Sequence, residues 1–245
     1  MRSKQIKSIS FFLIFLLSCK GGQEIITPCM DYSSPNLLVR EMITIQNGDT
    51  TSSIYYYDAL NRIQRRNDFG EYAFEVIWKY TKDKIYLLRS DSTVQSYFNI
   101  DSNGYATTPS IGHYEWEYDD QGYLIKQKEY WSDLGTKNDT YTYLCWNNVE
   151  IYSEGTDVSG NKVGGGKTTN YYYQDKVNTV GNENFGIYYF GKQNNCLVKR
   201  SEVTFQGNID TLASYQYEID SLGRVTEEIK HYGYNETTTR KFIYY

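Results

Sequence analysis

Residues 114–118 read Tyr-Glu-Trp-Glu-Tyr, a strict alternation that puts three aromatic rings on one face of an extended chain and two carboxylates on the other. Residues 215–219, Tyr-Gln-Tyr-Glu-Ile, repeat the pattern. Both predict half-buried β-strands with one face packed and one face wet. No stretch carries apolar residues at the 3.6-residue spacing of an amphipathic helix, so the pattern predicts an all-β chain. Composition strengthens this reading. There are 27 Tyr against 3 Pro, and 17% of residues are aromatic, the side chains that favour a pleated surface.

A turn phrase follows several of these strands. Asp58, Asp101, Asp119 and Asp220 each follow an aromatic residue or Ile, and three positions later come Asn61, Gly104, Gly122 and Gly223. Next stands Arg or Tyr, then usually an aliphatic residue, and a new strand begins. An Asp opening a type I turn can accept a bond from the backbone two residues on, while Gly or Asn takes the left-handed conformation that closes a bulged hairpin loop. Looser versions occur at 80–85, 146–149 and 193–197. The anchors are unevenly spaced, which argues against a solenoid or propeller of fixed period. The predicted architecture is an antiparallel meander of hairpins, forming a long twisted sheet or a barrel, which would remove exposed edges. Longer loops are expected at 132–139 and 155–169, with 37–245 as a single all-β domain.

The N-terminus departs from this pattern. Arg2, Lys4 and Lys7 precede the apolar run Ile-Ser-Phe-Phe-Leu-Ile-Phe-Leu-Leu-Ser, the charge and length arrangement of a secretory signal over residues 1–18. Leu16-Leu17-Ser18-Cys19 resembles the bacterial lipobox, which implies cleavage before Cys19 and acylation of its thiol, with 19–36 as a lipidated tether. Several acyl chains on one residue anchor a protein firmly to a membrane. Lys20 after the lipidated residue implies the outer membrane, on its periplasmic or cell-surface face. Cleavage removes only basic residues, so the mature chain is more negative than the formal −5 of the whole sequence, which argues against a nucleic-acid partner. Cys29, Cys145 and Cys196 allow one disulfide and a leftover thiol, and buried single thiols are the expectation.

The phrases "YYYDALNRI", "YEYDDQGYL" and "YEIDSLGRV" resemble the tyrosine-aspartate repeats of Rhs-type shells, although Tyr105 and Tyr123 stand where those repeats carry Arg. The order of phrases across about 37–245 is more similar to a family of Gram-negative lipoproteins catalogued as a domain of unknown function with a porin-like fold. That resemblance implies a barrel-like all-β fold and no assigned catalytic residues.

Candidate chemistry is thin. The run "GNKVGGGKTT" invites comparison with a phosphate loop, but Gly160 lies one position too early before Gly166-Lys167-Thr168, and no strand-loop-helix setting accompanies it. His113 and His231 stand in strand-like surroundings without a nucleophile motif. Glu115, Glu117, Asp119 and Asp120 crowd one hairpin, yet nothing selects a pair for glycoside hydrolysis. Asp101 to Gly104 begins like a calcium loop and lacks the later Glu. The expectation is therefore a non-enzymatic binding or structural envelope protein without metal or cofactor. Its partners are the membrane, through the lipid, and a glycan or envelope protein. A membrane-inserted barrel ending in "KFIYY" and a cell-wall hydrolase are the alternatives. Trp78, Tyr114, Trp116, Trp131 and Trp146 are the candidate ligand-contact aromatics.

Overall fold

The computed structural model describes residues 37–131, 135–144, 147–205, 208–233 and 236–245. The signal and tether segments, with Cys19 and Cys29, lie outside the described residues, as do Cys145 and Trp146. The strands are β1 (Val39–Gln46), β2 (Asp49–Tyr57), β3 (Ile63–Phe69), β4 (Phe74–Tyr80), β5 (Lys84–Leu88), β6 (Val94–Ile100), β7 (Ala106–Pro109) and β8 (Tyr114–Tyr118). They continue with β9 (Leu124–Trp131), β10 (Gly135–Leu144), β11 (Asn147–Thr156), β12 (Lys162–Val177), β13 (Cys196–Phe205), β14 (Asn208–Ile219), β15 (Val225–Tyr232) and β16 (Thr237–Tyr244).

All sixteen belong to one antiparallel sheet in which each strand pairs with its neighbours in sequence, and β1 pairs with β16 to bring the first and last strands together. The only interruption among the described strands is between β7 and β8, so the sheet forms a nearly closed barrel with one seam. Aromatic side chains close that seam. Tyr105 stacks on Tyr118 with ring centroids 5.0 Å apart, and Phe98 meets Trp116 at 6.1 Å. Short edge strands and Pro109 leave little unpaired backbone for another chain to template upon.

The repeated phrase builds one end of this barrel. Oδ1 of each anchoring Asp accepts two backbone N–H bonds, from the residues two and four positions on: Leu60 and Arg62 at Asp58, Asn103 and Tyr105 at Asp101, Gln121 and Tyr123 at Asp119, Leu222 and Arg224 at Asp220. Asn61 and the three glycines take positive φ, as expected. A bulge follows each turn, because the register shifts by one residue at Tyr56/Tyr57, Asn99/Ile100, Glu117/Tyr118 and Glu218/Ile219. The strand after each turn thus opens on an aliphatic residue held at the same end of the barrel. Ile63, Ala106 and Val225 are fully buried there, joined by Val39, Ile85 and Leu197 at the starts of β1, β5 and β13.

Bulges leave carbonyls without ladder partners, and tyrosines on the neighbouring strand ends supply the missing donors. Tyr57 Oη donates to Val39 O at 2.6 Å, Tyr80 Oη to Ile63 O at 2.7 Å and Tyr244 Oη to Val225 O at 2.8 Å. Burial raises the pKa of all three, that of Tyr244 to about 12, so the hydroxyl protons stay in place. Tyr80→Phe should therefore cost about 1–2 kcal/mol, the range for a buried acceptor deprived of its donor. Tyr97→Phe, on the outer face, should stay within about 0.5 kcal/mol. Urea midpoints of the two variants check the difference.

Residues 178–195, between β12 and β13, do not form a hairpin turn of the looser kind expected near 193–197. They cross the barrel at the turn-lined end. Two 3-10 turns, Asn182–Phe185 and Tyr188–Phe190, seat the segment. Phe185 packs on Tyr55 at 5.0 Å and on Phe242 at 6.4 Å. Farther round the wall, Phe190 packs on Phe98 at 5.2 Å and on Trp116 at 5.8 Å. Backbone bonds pin it at Ile63 N to Gly186 O, 3.0 Å, and Lys192 N to Gly122 O, 2.8 Å. This plug closes one end of the lumen.

Three other expectations change. The loop expected at 155–169 is mostly strand, because Asp157 and Gly160 repeat the Asp-Gly turn and leave only 157–161 between β11 and β12. Within the loop expected at 132–139, residues from Gly135 onward belong to β10, and Asp139 is buried. Cys196 is a buried disulfide half rather than a free thiol.

Candidate binding site in the barrel lumen

Strand alternation divides the side chains into an outer and an inner set, and both carry charge. On the outer wall, ion pairs join neighbouring strands: Arg65 to Glu75 at 3.6 Å, Lys126 to Glu117 at 3.7 Å, Lys162 to Glu154 at 2.6 Å, Lys167 to Glu150 at 2.8 Å and Lys241 to Glu227 at 3.1 Å. Outer tyrosines are covered by cations in the same way, Tyr56 by Arg65 at 4.0 Å and Tyr171 by Arg200 at 4.1 Å. Phe242 packs on the plug residue Phe185 and Tyr244 bonds to Val225 and Thr179, so near the C-terminus the alternating apolar residues face inward.

The lumen has two halves. Beside the plug it is dry and apolar. Trp78 donates its indole N–H to Tyr189 Oη at 2.9 Å, and both are buried. Toward the open mouth the wall becomes polar. Arg66 Nε bonds Asp68 Oδ2 at 2.8 Å, while Ser53 Oγ donates to the other carboxylate oxygen. Asp139 repeats the device with Lys137 at 2.9 Å and Ser153 at 2.6 Å. Arg240 reaches Glu228 at 3.1 Å. The cations retain water access, with 32% of the Arg66 side chain, 34% of Lys137 and 43% of Arg240 exposed, although each stands mid-strand on the inner face. That exposure marks the mouth half of the lumen as wet.

Aromatic rings line the wall from the boundary between the two halves to the mouth. Tyr114 lies parallel to Trp116 at 5.9 Å and donates to Glu129 at 2.9 Å, and Trp116 Nε1 donates to Gln127 at 3.1 Å. Tyr215 and Tyr217 are likewise parallel, with Lys230 5.4 Å from the Tyr215 ring. Phe74 and Phe205 stand exposed at the mouth. The inner positions of β11 and β12 include Gly155, Gly164 and Gly166, the last beside Phe205, and nothing lies within 4 Å of where a Cβ on Gly164 would stand. Burial raises the pKa of Tyr55, Tyr141 and Tyr217, which remain neutral donors.

The structure brings three of the five expected aromatics to the lumen. Trp78 is core, spent on Tyr189 and the plug, and is not a contact surface. Tyr114 and Trp116 stand between dry and wet halves. Trp131 ends β9, with its side chain outside the described residues, as is all of Trp146. The charged lining of Arg66, Asp68, Lys137, Asp139, Glu228 and Arg240 had no sequence signal. Gly166-Lys167-Thr168 lies in mid-strand, with Lys167 tied to Glu150, so the phosphate-loop comparison ends there. Glu115 and Glu117 point outward, whereas Asp119 is engaged by its turn. His231 Nδ1 lies 3.2 Å from Thr237 Oγ1 on the outer wall, and His113 borders a shallow groove at the mouth. Among the described residues, no group of three or more His, Cys, Asp or Glu side chains converges as metal ligands would.

Two solved structures share this architecture. A porin-like protein from Bacteroides uniformis superimposes with a TM-score of 0.59 at 17% identity, covering 86% of this chain and 98% of that one. A porin-like protein from Bacteroides vulgatus gives 0.58 at 12% identity, covering 86% and 99%. The chain has the porin-like fold. No protein-family model and no curated protein matches it. The barrel lumen, with the segment 178–195 packed across one end, is a cup with one mouth.

Proposed function

We propose that this chain is a non-enzymatic envelope lipoprotein whose barrel stands in water, anchored to the outer membrane through Cys19, and that it acts by binding. The likeness to the two porin-like structures supports the barrel part of this reading, and the lipobox-like Leu16-Leu17-Ser18-Cys19 supports the anchor. The observation that carries it is the outer wall. A membrane-spanning barrel presents an apolar band about 25 Å tall, and a Lys or Arg at the bilayer midplane costs about 2–4 kcal/mol. Ion pairs such as Lys167 to Glu150 and Lys241 to Glu227 occupy mid-strand outer positions instead. A plugged lumen gives the same reading a second support, because the dry layer at Tyr189 and Trp78 leaves no aqueous path through.

Metabolic labelling of the full chain with palmitate should mark the protein, and Cys19→Ala should abolish the label. The Cys19→Ala protein should be monodisperse without detergent and silent in planar bilayers. Detergent-dependent dispersion together with channel conductance would make it an inserted barrel instead.

A further inference from the structure

We propose that the wet half of the lumen binds an uncharged oligosaccharide, an inference that rests on the reading of the barrel as a water-exposed cup. Three features of the wall select that ligand chemistry. First, three of the lumen's cations are balanced by a neighbouring carboxylate, and a fourth, Lys230, lies against the rings of Tyr215 and Tyr232. Arg66 is paired with Asp68, Lys137 with Asp139 and Arg240 with Glu228. An incoming anion would have to displace a bound carboxylate and leave it unpaired, which is costly in a partly desolvated site. A polyol asks for no displacement. It takes up the water-facing guanidinium and ammonium N–H donors of Arg66, Lys137 and Arg240, and its hydroxyls serve as acceptors there while donating to one another.

Second, the donors and acceptors are fixed. Asp68 and Asp139 each bind a cation on one oxygen and a serine on the other, so the exposed partners Arg66 and Lys137 are held in a set direction. Sugar hydroxyls are discriminated by such pre-set groups, because a mismatched hydroxyl leaves a wall group unpaired. Third, flat apolar surface stands beside them. Phe74 and Phe205 are each 53% exposed at the mouth, and Tyr114, parallel to Trp116, presents a ring on the inner wall of β8. Such rings bury the apolar face of a pyranose while the hydroxyl rim reaches the charged pairs. Space for the ligand lies at Gly164 on β12, where nothing stands within 4 Å of a would-be Cβ, bordered by Val163 beside Gly155 and by Phe205 beside Gly166.

The test is calorimetric titration of the full-length protein with gluco-, manno-, xylo- and chito-hexaoses, using oligogalacturonate and a heparin hexasaccharide as charged comparators. At least one neutral series should saturate in the micromolar to millimolar range, with the charged oligomers binding at least tenfold more weakly. Gly164→Phe places a ring in the open space without a positive-φ penalty, and should abolish binding while the thermal midpoint stays unchanged. Tyr114→Ala should weaken it about tenfold. Preference for the charged oligomers would overturn the inference, as would neutral binding that survives Gly164→Phe, or no neutral binding up to millimolar sugar. Monodispersity without detergent and silence in bilayers report separately on the cup itself. A monodisperse, silent protein that binds no neutral sugar would overturn only the ligand assignment.

Discussion

Gly186→Ala is expected to destabilise the protein by about 3 kcal/mol and to unseat the plug. Gly186 ends the first 3-10 turn with φ +65, where an L side chain costs about 1–2 kcal/mol. The larger effect is contact. A Cβ there would stand 2.6 Å from Ile63 N, 2.7 Å from Asn61 O and 2.9 Å from Tyr57 Cδ1. Two of those atoms are backbone belonging to the turn and bulge that open β3, so nothing flexible can yield, and overpacking of this kind costs about 1–3 kcal/mol. The same approach lets Ile63 N donate to Gly186 O, so relief by retreat would sacrifice that bond. Gly48→Ala makes the control. Its φ is +90, yet nothing lies within 4 Å, and it should cost only about 1–2 kcal/mol. Urea unfolding followed by far-UV circular dichroism compares them, with tryptophan emission reporting whether Trp78 has become wet. Equal losses in the two variants would mean the plug is not seated on β3.

Tyr189→Ala should be larger still, about 3–5 kcal/mol, the range for deleting a buried aromatic side chain. Tyr189 is buried between Phe98 at 5.6 Å and Phe190 at 4.7 Å, and its hydroxyl accepts from the Trp78 indole. Tyr189→Phe separates the two contributions. It keeps the ring and strands one indole N–H, which should cost about 1–3 kcal/mol. A double-mutant cycle with Trp78→Phe should recover much of that loss, because the stranded donor is then gone. If Tyr189→Phe proved neutral, the indole would have found another partner and the dry half of the lumen would have to admit water.

The turn phrase was legible because its information is local. An Asp whose oxygen is reached by two nearby amides and a Gly or Asn at positive φ need no tertiary context, and four anchors behave as their spacing predicted. The plug was not legible. "FGIYYFGK" has the aromatic density of a strand, and it becomes a crossing segment only because Phe185, Tyr189 and Phe190 find the apolar ring made by Ile63, Ala106 and Val225. The lumen lining was hidden for a different reason. Bulges after the turns break the two-residue alternation, so Ile63 and Arg66, an odd number of residues apart, share the inner face. With ion pairs on both faces, charge gives no indication of which is inside. Of the candidate aromatics, Trp78, Tyr114 and Trp116 face inward, as bulky rings favour, yet the sequence did not separate Trp78 in the dry layer from Tyr114 beside the water.

The pairing of β1 with β16, set against the seam at β7 and β8, bears on how the chain assembles. Every other ladder joins strands adjacent in sequence and can form by local zipping. Only the β1–β16 ladder joins distant parts, and closing a loop of about 200 residues carries an entropic cost on the order of 5 kcal/mol. The seam divides the molecule into two meanders that can each fold from their own hairpins. Their joining through the first and last strands is then the slow, long-range step that completes the barrel.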